Sequence, residues 1–125
     1  MTPNANGDEL DAFFEGFEDA HRIYGVVEPA ILALGEVTVR VGKSQIAFRR
    51  RRAFAWAWVP ARYLRGATAP FVLSLALHRH APSTRWKEVV EPTPGRFVHH
   101  LELHTPEALD PQVLAWLREA WEGGV

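Results

Sequence analysis

The fold is decided by residues 44–59, which read SQIAFRRRRAFAWAWV. Before residue 36 the apolar residues recur at the three-and-four spacing of a helix, but from Val37 onward they alternate with the period of a strand. Within the quoted stretch, 44–48 and 53–59 are predicted to be two strands joined through four arginines. This pattern predicts a β-hairpin at the centre of the chain.

The second strand of this hairpin has two unlike faces, because successive side chains of a strand point to opposite sides. Its three aromatic residues share one face, and its alanines share the other with Val59. The small residues of one face allow a helix to approach closely, which leaves the aromatic residues on the far side of the sheet. An even-numbered loop sets which residues of the two strands pair. The predicted pairs are Phe48 with Ala53, Ala47 with Phe54, Ile46 with Ala55 and Gln45 with Trp56.

Helical patterns flank the strands on both sides. One helix is predicted over residues 8–25, and a shorter one ends at Gly35. A last helix, with Thr105 or Asp110 as its N-cap, follows the strands.

Four further segments, in addition to the hairpin, have the alternation of strands: 37–41, 71–78, 86–90 and 96–103. Strands that follow one another between helices, rather than alternating with them, are typical of an antiparallel sheet. The predicted fold class is therefore α+β, with two N-terminal helices, an antiparallel sheet of five or six strands and a C-terminal helix. The helices are expected to pack on one face of the sheet.

Length and composition limit the class of protein. The 125 residues suit one domain, predicted over 8–123, after a disordered N-terminal tail at 1–7. The sequence has no cysteine, which removes disulfides and thiolate metal sites and fits a reducing compartment. We see no signal peptide, and a cytoplasmic location is expected.

Charge is distributed unevenly, although the net charge is only −1. Residues 40–87 contain eleven lysines and arginines and no acidic residue, whereas acidic residues dominate on both sides. Four adjacent arginines, Arg49, Arg50, Arg51 and Arg52, are either a solvated hairpin tip facing acidic helices or a site for phosphate or carboxylate. The near-zero total charge argues against binding to long duplex DNA.

Three interpretations of the aromatic face remain open. It can be the core of the protein, because aromatic side chains bury large apolar areas. It can be a surface on which a planar anion, a nucleotide or a single-stranded nucleic acid stacks. It can also be the interface of a homodimer, since exposed aromatic patches usually mark contacts.

The histidines and serines give little indication of chemistry. Five residues could contribute to a zinc or iron site, but their spacing matches no known ligand motif. His99 alternates with apolar residues and is expected to be a core histidine. No nucleophile elbow, phosphate loop or dinucleotide fingerprint is present, so no catalytic residue, cofactor or metal site is predicted, and an enzyme is not favoured. The five possible ligands are His78, His80, His100, Glu102 and His104.

Four stretches carry a resemblance to a known family: VGKSQIAFRRRR at 41–52, FAWAW at 54–58, RWKEVVE at 85–91 and PGRFVHHLEL at 94–103. They resemble a bacterial family of short cytoplasmic proteins that is known only as a domain of unknown function. The resemblance covers about residues 10–122. In outline the chain is also similar to the frataxin-like group, which implies a helix–sheet–helix layout. Seven site candidates fall in these stretches: Lys43, Gln45, Trp56, Arg85, Glu88, His99 and His100.

These observations lead to three hypotheses. The first is a non-catalytic binding module for a small anionic or planar, nucleotide-like ligand, with the seven candidates and the four arginines as its site. The second is a module for protein interaction or homodimerisation. The third is a histidine-based metal protein. No membrane partner is expected.

Overall fold

The computed structural model describes residues 7–125. The predicted α+β fold is confirmed, with six strands between two N-terminal helices and one C-terminal helix. Two short three-ten turns lie at Pro60–Arg62 and Pro106–Ala108. The elements are α1 (Gly7–Phe13), α2 (Glu18–Leu32), β1 (Thr38–Val41), β2 (Ile46–Arg49), β3 (Ala53–Trp58), β4 (Phe71–Leu77), β5 (Trp86–Thr93), β6 (Arg96–Leu103) and α3 (Pro111–Glu122).

The six strands form one antiparallel sheet in the order β1-β2-β3-β4-β6-β5. Strand β4 lies near the middle, and every one of its residues is buried. Its sequence, FVLSLAL, is almost continuously apolar, as expected of a strand whose side chains are buried on both faces. Strands β1 and β5 form the two edges.

The helices pack on one face of the sheet, as predicted. The core between them includes Phe48 of β2, Leu75 of β4, Leu103 of β6, Ile23 of α2 and Leu117 of α3, all of them buried. The opposite face of the sheet has no helix over it among the described residues. We call this opposite side the open face. None of the helices of residues 7–125 is long and apolar enough to cross a membrane.

The break between the two N-terminal helices was predicted at the wrong glycine. Helix α2 continues through Gly25 and Pro29, and the chain turns instead at Gly16, whose φ is +83°. That backbone conformation suits glycine, which has no Cβ to clash. A Cβ on Gly25 would meet nothing within 4 Å, so the helix tolerates this residue.

The predicted N-terminal tail falls mostly outside the described residues. Residues 1–6 are not described, and Gly7 is already the first residue of α1. Asp8, with Glu9, therefore lies in the first turn of that helix, where negative charge is favourable. At the other end of the chain, Asp110 rather than Thr105 caps α3, because its carboxylate accepts the N–H of Val113 at 3.1 Å.

The predicted hairpin register is wrong by two residues. Ile46 lies opposite Ala57 and Ala47 opposite Trp56, because the ladder is irregular between Phe48, which lies opposite Ala55, and Arg49, which lies opposite Ala53. A shift by two residues keeps every side chain on its predicted face. Phe54 is the exception: the ladder is irregular at this point, and this side chain is buried in the core.

Candidate functional site

Two tryptophans of β3 lie on the open face, opposite the helices. Trp56 and Trp58 are half-buried there, while Ala55 and Ala57, which alternate with them, face the core. Beneath the tryptophans lie Val72 and Ser74 of β4, which are buried although no helix of residues 7–125 covers them. The aromatic residues of β3 therefore divide, with Phe54 in the core and the two tryptophans on the open face.

A depression of about 420 Å³ lies between these tryptophans. Strand pairing explains its position, since Trp56 lies opposite Ser74, Ser74 opposite His100, and His100 opposite Glu88. These four residues form one row across β3, β4, β6 and β5. The depression is lined by Gln45, Trp56, Trp58, Ser74, Val98 and His100.

A chain of hydrogen bonds runs along the floor of the depression. The indole Nε1 of Trp58 donates to the Ser74 hydroxyl oxygen at 3.0 Å. The same oxygen lies 2.7 Å from Nδ1 of His100. The rings of Trp58 and His100 also meet edge to face, with centroids 6.2 Å apart. Three strands are thus joined by side chains on the open face as well as by their backbones.

The direction of this chain follows from the donors available. An indole N–H can only donate, so Ser74 must accept from Trp58, and the serine hydrogen is left for His100. If Nδ1 of His100 carried a hydrogen instead, the buried hydroxyl would lose its acceptor, at a cost of about 1–3 kcal/mol. This arrangement favours a neutral His100 with its hydrogen on Nε2. Burial lowers the pKa of His100, which favours the same state, while the Glu88 carboxylate raises it.

Charged groups lie around the depression, outside its lining. The Arg96 guanidinium lies over the Trp56 ring at 5.9 Å and donates to the carbonyl of Ala53 at 2.8 Å. Burial lowers the pKa of Arg96, and the guanidinium of Arg52 lowers it further. This end of the open face is therefore the cationic one.

A second depression of about 290 Å³ adjoins the first, sharing Trp58 and His100. It extends to the acidic side of the open face, where Glu88 and Glu102 lie, and to the exposed Leu64. Its full lining is Trp58, Pro60, Leu64, Val72, Lys87, Glu88, His100 and Glu102.

The four arginines make different contacts. The Arg50 guanidinium lies 3.8 Å from the centroid of the Trp121 ring and donates to the Trp121 carbonyl at 3.3 Å. The backbone N–H groups of Arg51 and Arg52 both donate to the carbonyl of Gly124 at 2.9 Å. Arg49 is exposed and donates to the carbonyl of Arg51. The run thus joins the hairpin to the end of α3, and the charge of Arg52 acts on Arg96 of the open face.

Two further candidates lie away from the depression. Arg85 donates to both carboxylate oxygens of Asp110 at 3.0 Å and to the side chain of Gln112 at 2.8 Å, so it ties the start of β5 to α3. Lys43 is exposed in the turn between β1 and β2, and its backbone carbonyl accepts from Arg62 at 3.2 Å. Neither residue lines the depression.

His99 is a core histidine, as expected. It is fully buried, its Nε2 accepts the N–H of Ala81 at 3.0 Å, and its Nδ1 donates to the carbonyl of Phe97 at 3.1 Å. Its ring packs against Trp86 with centroids 4.6 Å apart. Because Nε2 accepts the N–H of Ala81, the ring is neutral and both of its nitrogens are hydrogen-bonded. Burial lowers the pKa of His99, which favours the same state.

The five residues considered for metal binding are not brought together. Within residues 7–125 no three histidine, aspartate or glutamate side chains are grouped so that they could hold a metal ion. His78 contacts the Gly123 carbonyl at 3.0 Å, and His80 packs on Phe97. His100 uses Nδ1 for Ser74.

Four of the eleven predicted site residues therefore lie on the open face at the two depressions: Gln45, Trp56, Glu88 and His100. Trp58, Ser74, Val98 and Arg96 were missed. The sequence held a signal for Ser74, which is the one polar residue in the apolar run FVLSLAL. Val98 and Arg96 alternate with His100 along β6 and so share its face.

Comparison with known proteins gives one result, at the level of the family. Among curated proteins and among solved structures, none matches this sequence. The family model described as a domain of unknown function (DUF5655) matches residues 10–123, which span the described fold almost from end to end. The chain belongs to this family.

Proposed function

We propose that the protein is a non-catalytic binding module whose open face accepts a small planar, nucleotide-like ligand. The observation that supports this most is the depression of about 420 Å³ between Trp56 and Trp58, on a side of the sheet that no described helix covers. Ligand sites are commonly concave, mostly apolar and provided with a few placed polar groups. The lining has this composition.

The charges favour a flat ring over a strongly charged ligand. None of the six lining residues carries a permanent charge. An anionic group attached to the ring would meet Arg96 and Arg52 at the Trp56 end of the face, and would be repelled by Glu88 and Glu102 at the other. Stacking on aromatic rings tolerates any base, so a short single-stranded nucleic acid is included in the proposal.

A panel of planar ligands tests the proposal. Free bases, nucleotides and short single strands at millimolar concentration are expected to quench tryptophan fluorescence and to raise the melting temperature. Trp56→Ala should abolish both effects. Tyr63→Ala is the matched control, because Tyr63 is an exposed aromatic residue that lines neither depression. If no planar ligand shifts the melting temperature of the wild-type protein, the proposal fails.

A second candidate function is protein interaction or homodimerisation through the same face. The second depression supports it, because it is largely apolar and reaches Leu64, whose side chain is 56% exposed. Light scattering separates the two functions. A homodimer should dissociate in Leu64→Ser, whereas a wild-type monomer at high concentration would contradict homodimerisation.

Three broader expectations are part of the proposal. The absence of cysteine supports a cytoplasmic location, since a reducing compartment disfavours disulfides. The helix–sheet–helix order supports the frataxin-like outline, and a bacterial source is expected from the family-like stretches. A histidine-based metal protein is the third hypothesis, which metal analysis after chelation addresses.

A further inference from the structure

The open face carries opposite charges at the two ends of β6. Arg96, Val98, His100 and Glu102 alternate along this strand and therefore share the open face. Arg96 is the first residue of the strand, and Glu102 is the last but one. Arg52 lies at the Arg96 end, where its positive charge acts on the Arg96 guanidinium. One end of the face is thus cationic and the other acidic.

These end charges are not neutralised by each other or by other described residues. The Arg96 guanidinium donates to the carbonyl of Ala53 and lies over the Trp56 ring, neither of which is a carboxylate. Among residues 7–125, Arg96 and Glu102 take part in no ion pair. Both charges are therefore available to a partner that covers the open face.

Apolar side chains lie between the two ends. Trp56, Trp58 and Val98 are half-buried, and Val90, which lies opposite Val98 in β5, is 37% exposed. An exposed apolar patch with a polar rim usually marks a contact surface. Two sheets can pack face to face with their strands nearly aligned, at about 30°. The open face has the apolar middle and the charged rim of such a contact.

We infer that the open face binds the open face of a second copy of this chain, with β6 of one copy antiparallel to β6 of the other. In this arrangement Arg96 of each copy meets Glu102 of the other copy. This inference rests on the second candidate function, homodimerisation, and names the surface and the arrangement through which the two copies bind.

Charge decides between the two ways in which identical sheets can stack about a two-fold axis. An axis that runs along the strands would place the cationic end of one copy against the cationic end of the other, and like charges across an interface are strongly unfavourable. An axis that crosses the strands reverses one copy, so that each cationic end lies on an acidic end. Because a two-fold interface uses the same surface of both copies, the contact between Arg96 and Glu102 forms twice.

Charge reversal at Glu102 tests this arrangement. The wild-type protein is expected to be a dimer that dissociates on dilution, measured by sedimentation equilibrium. Glu102→Arg places like charges at both contacts and should raise the dissociation constant at least about tenfold. Glu102→Gln removes the attraction without adding repulsion and should raise it less. Glu122→Arg is the matched control and should leave it unchanged, because Glu122 is exposed in α3, on the helix side of the sheet.

A mixture of two variants shows whether the charges meet across the interface. Arg96→Glu and Glu102→Arg should each dimerise weakly alone. Mixed in equal amounts they should form heterodimers, because both contacts then join opposite charges. The double variant should dimerise as the wild-type protein does, for the same reason. Circular dichroism checks the fold of each variant, and if Arg96→Glu does not fold, the graded series at Glu102 still decides.

The outcomes separate the inference from both candidate functions. A wild-type protein that stays monomeric at high concentration overturns the inference and homodimerisation together. A wild-type dimer whose dissociation constant is the same in Glu102→Arg overturns the inference alone. Planar ligands are titrated into Glu102→Arg as well, because Glu102 does not line the larger depression. If this variant is monomeric and binds no planar ligand, the proposed binding function fails while the inference stands.

Discussion

The terminal nitrogen Nη1 of Arg85 lies 3.0 Å from both carboxylate oxygens of Asp110. The same carboxylate accepts the N–H of Val113 and so caps α3. This hydrogen bond lowers the pKa of Asp110, and the Arg85 guanidinium lowers it further. One aspartate therefore both begins the last helix and holds the segment that leads into β5.

From this arrangement we expect Asp110→Ala to lower the free energy of unfolding by about 1–2 kcal/mol, the usual cost of losing an N-cap. Asp110→Asn keeps a capping oxygen and should cost less. Arg85→Ala removes a partly exposed ion pair, worth about 0–1 kcal/mol, and should leave binding in the depression unchanged. Urea denaturation and the fluorescence titration measure these effects, and reduced binding in Arg85→Ala would place the residue in the site after all.

Neighbouring arginines of the hairpin loop should differ in their effect on stability. Arg50→Ala loses the contact with the Trp121 ring, worth about 0.5–1 kcal/mol, together with a hydrogen bond. Arg51→Ala keeps its backbone bond to Gly124 and should change the free energy of unfolding by less than about 0.5 kcal/mol. Thermal unfolding of the two variants side by side checks this, and equal losses would contradict the assigned contact.

Glycine substitutions test where the N-terminal helices break. Gly25→Ala lies within α2 with open space around the new methyl group, so it should raise the free energy of unfolding by about 0.5–1 kcal/mol. Gly16→Ala forces alanine into a positive φ and should lower it by about 1–2 kcal/mol. Should Gly25→Ala destabilise the protein instead, the helix ends at Gly25 as its sequence suggested.

Stability should decrease on acidification, because the buried His99 and the half-buried His100 are neutral in the folded protein. Burial holds the pKa of His99 and of His100 below the ordinary value of 6.5. Below about pH 6.5 the unfolded chain therefore binds protons that the folded protein does not, and stability falls as pH falls. The slope is at most about 1.4 kcal/mol per pH unit for each histidine.

Positive charge on His80 and Arg79 lowers the pKa of His99 further, whereas its hydrogen bonds to the backbone of Phe97 and Leu75 raise it. His100→Gln should remove the contribution of His100 to the slope of stability against pH. His104→Gln, at an exposed position, should leave this slope unchanged. Urea titrations between pH 5 and pH 8 measure it. A stability that does not change with pH over this range would contradict the neutral histidines.

Sequence periodicity predicted the fold better than the site. The alternation in β3 correctly separated alanines from tryptophans, because a strand has only two faces. It did not predict that Phe54 turns into the core, since the irregularity of the β2–β3 ladder beside this residue interrupts the alternation. Likewise, Gly25 and Gly16 look equally able to end a helix until the backbone conformation of each is known.

The residues at the depressions were predicted only in part, because their positions also depend on tertiary contacts that the sequence pattern does not show. Tryptophan, glutamine and histidine were recognisable as residue types that bind ligands, but adjacent arginines suggested a single anion site. Tertiary contacts with Trp121 and Gly124 engage that run instead. Ser74 became meaningful only when strand order placed it opposite His100, and strand order is a property of the whole chain.

The contact between Arg50 and Trp121 joins residues 71 positions apart in the sequence. Closing so long a loop costs more entropy than the local pairing of β2 with β3. We therefore expect the tip of the hairpin to be ordered late in folding, after α3 has docked, and to open among the first parts of the native protein.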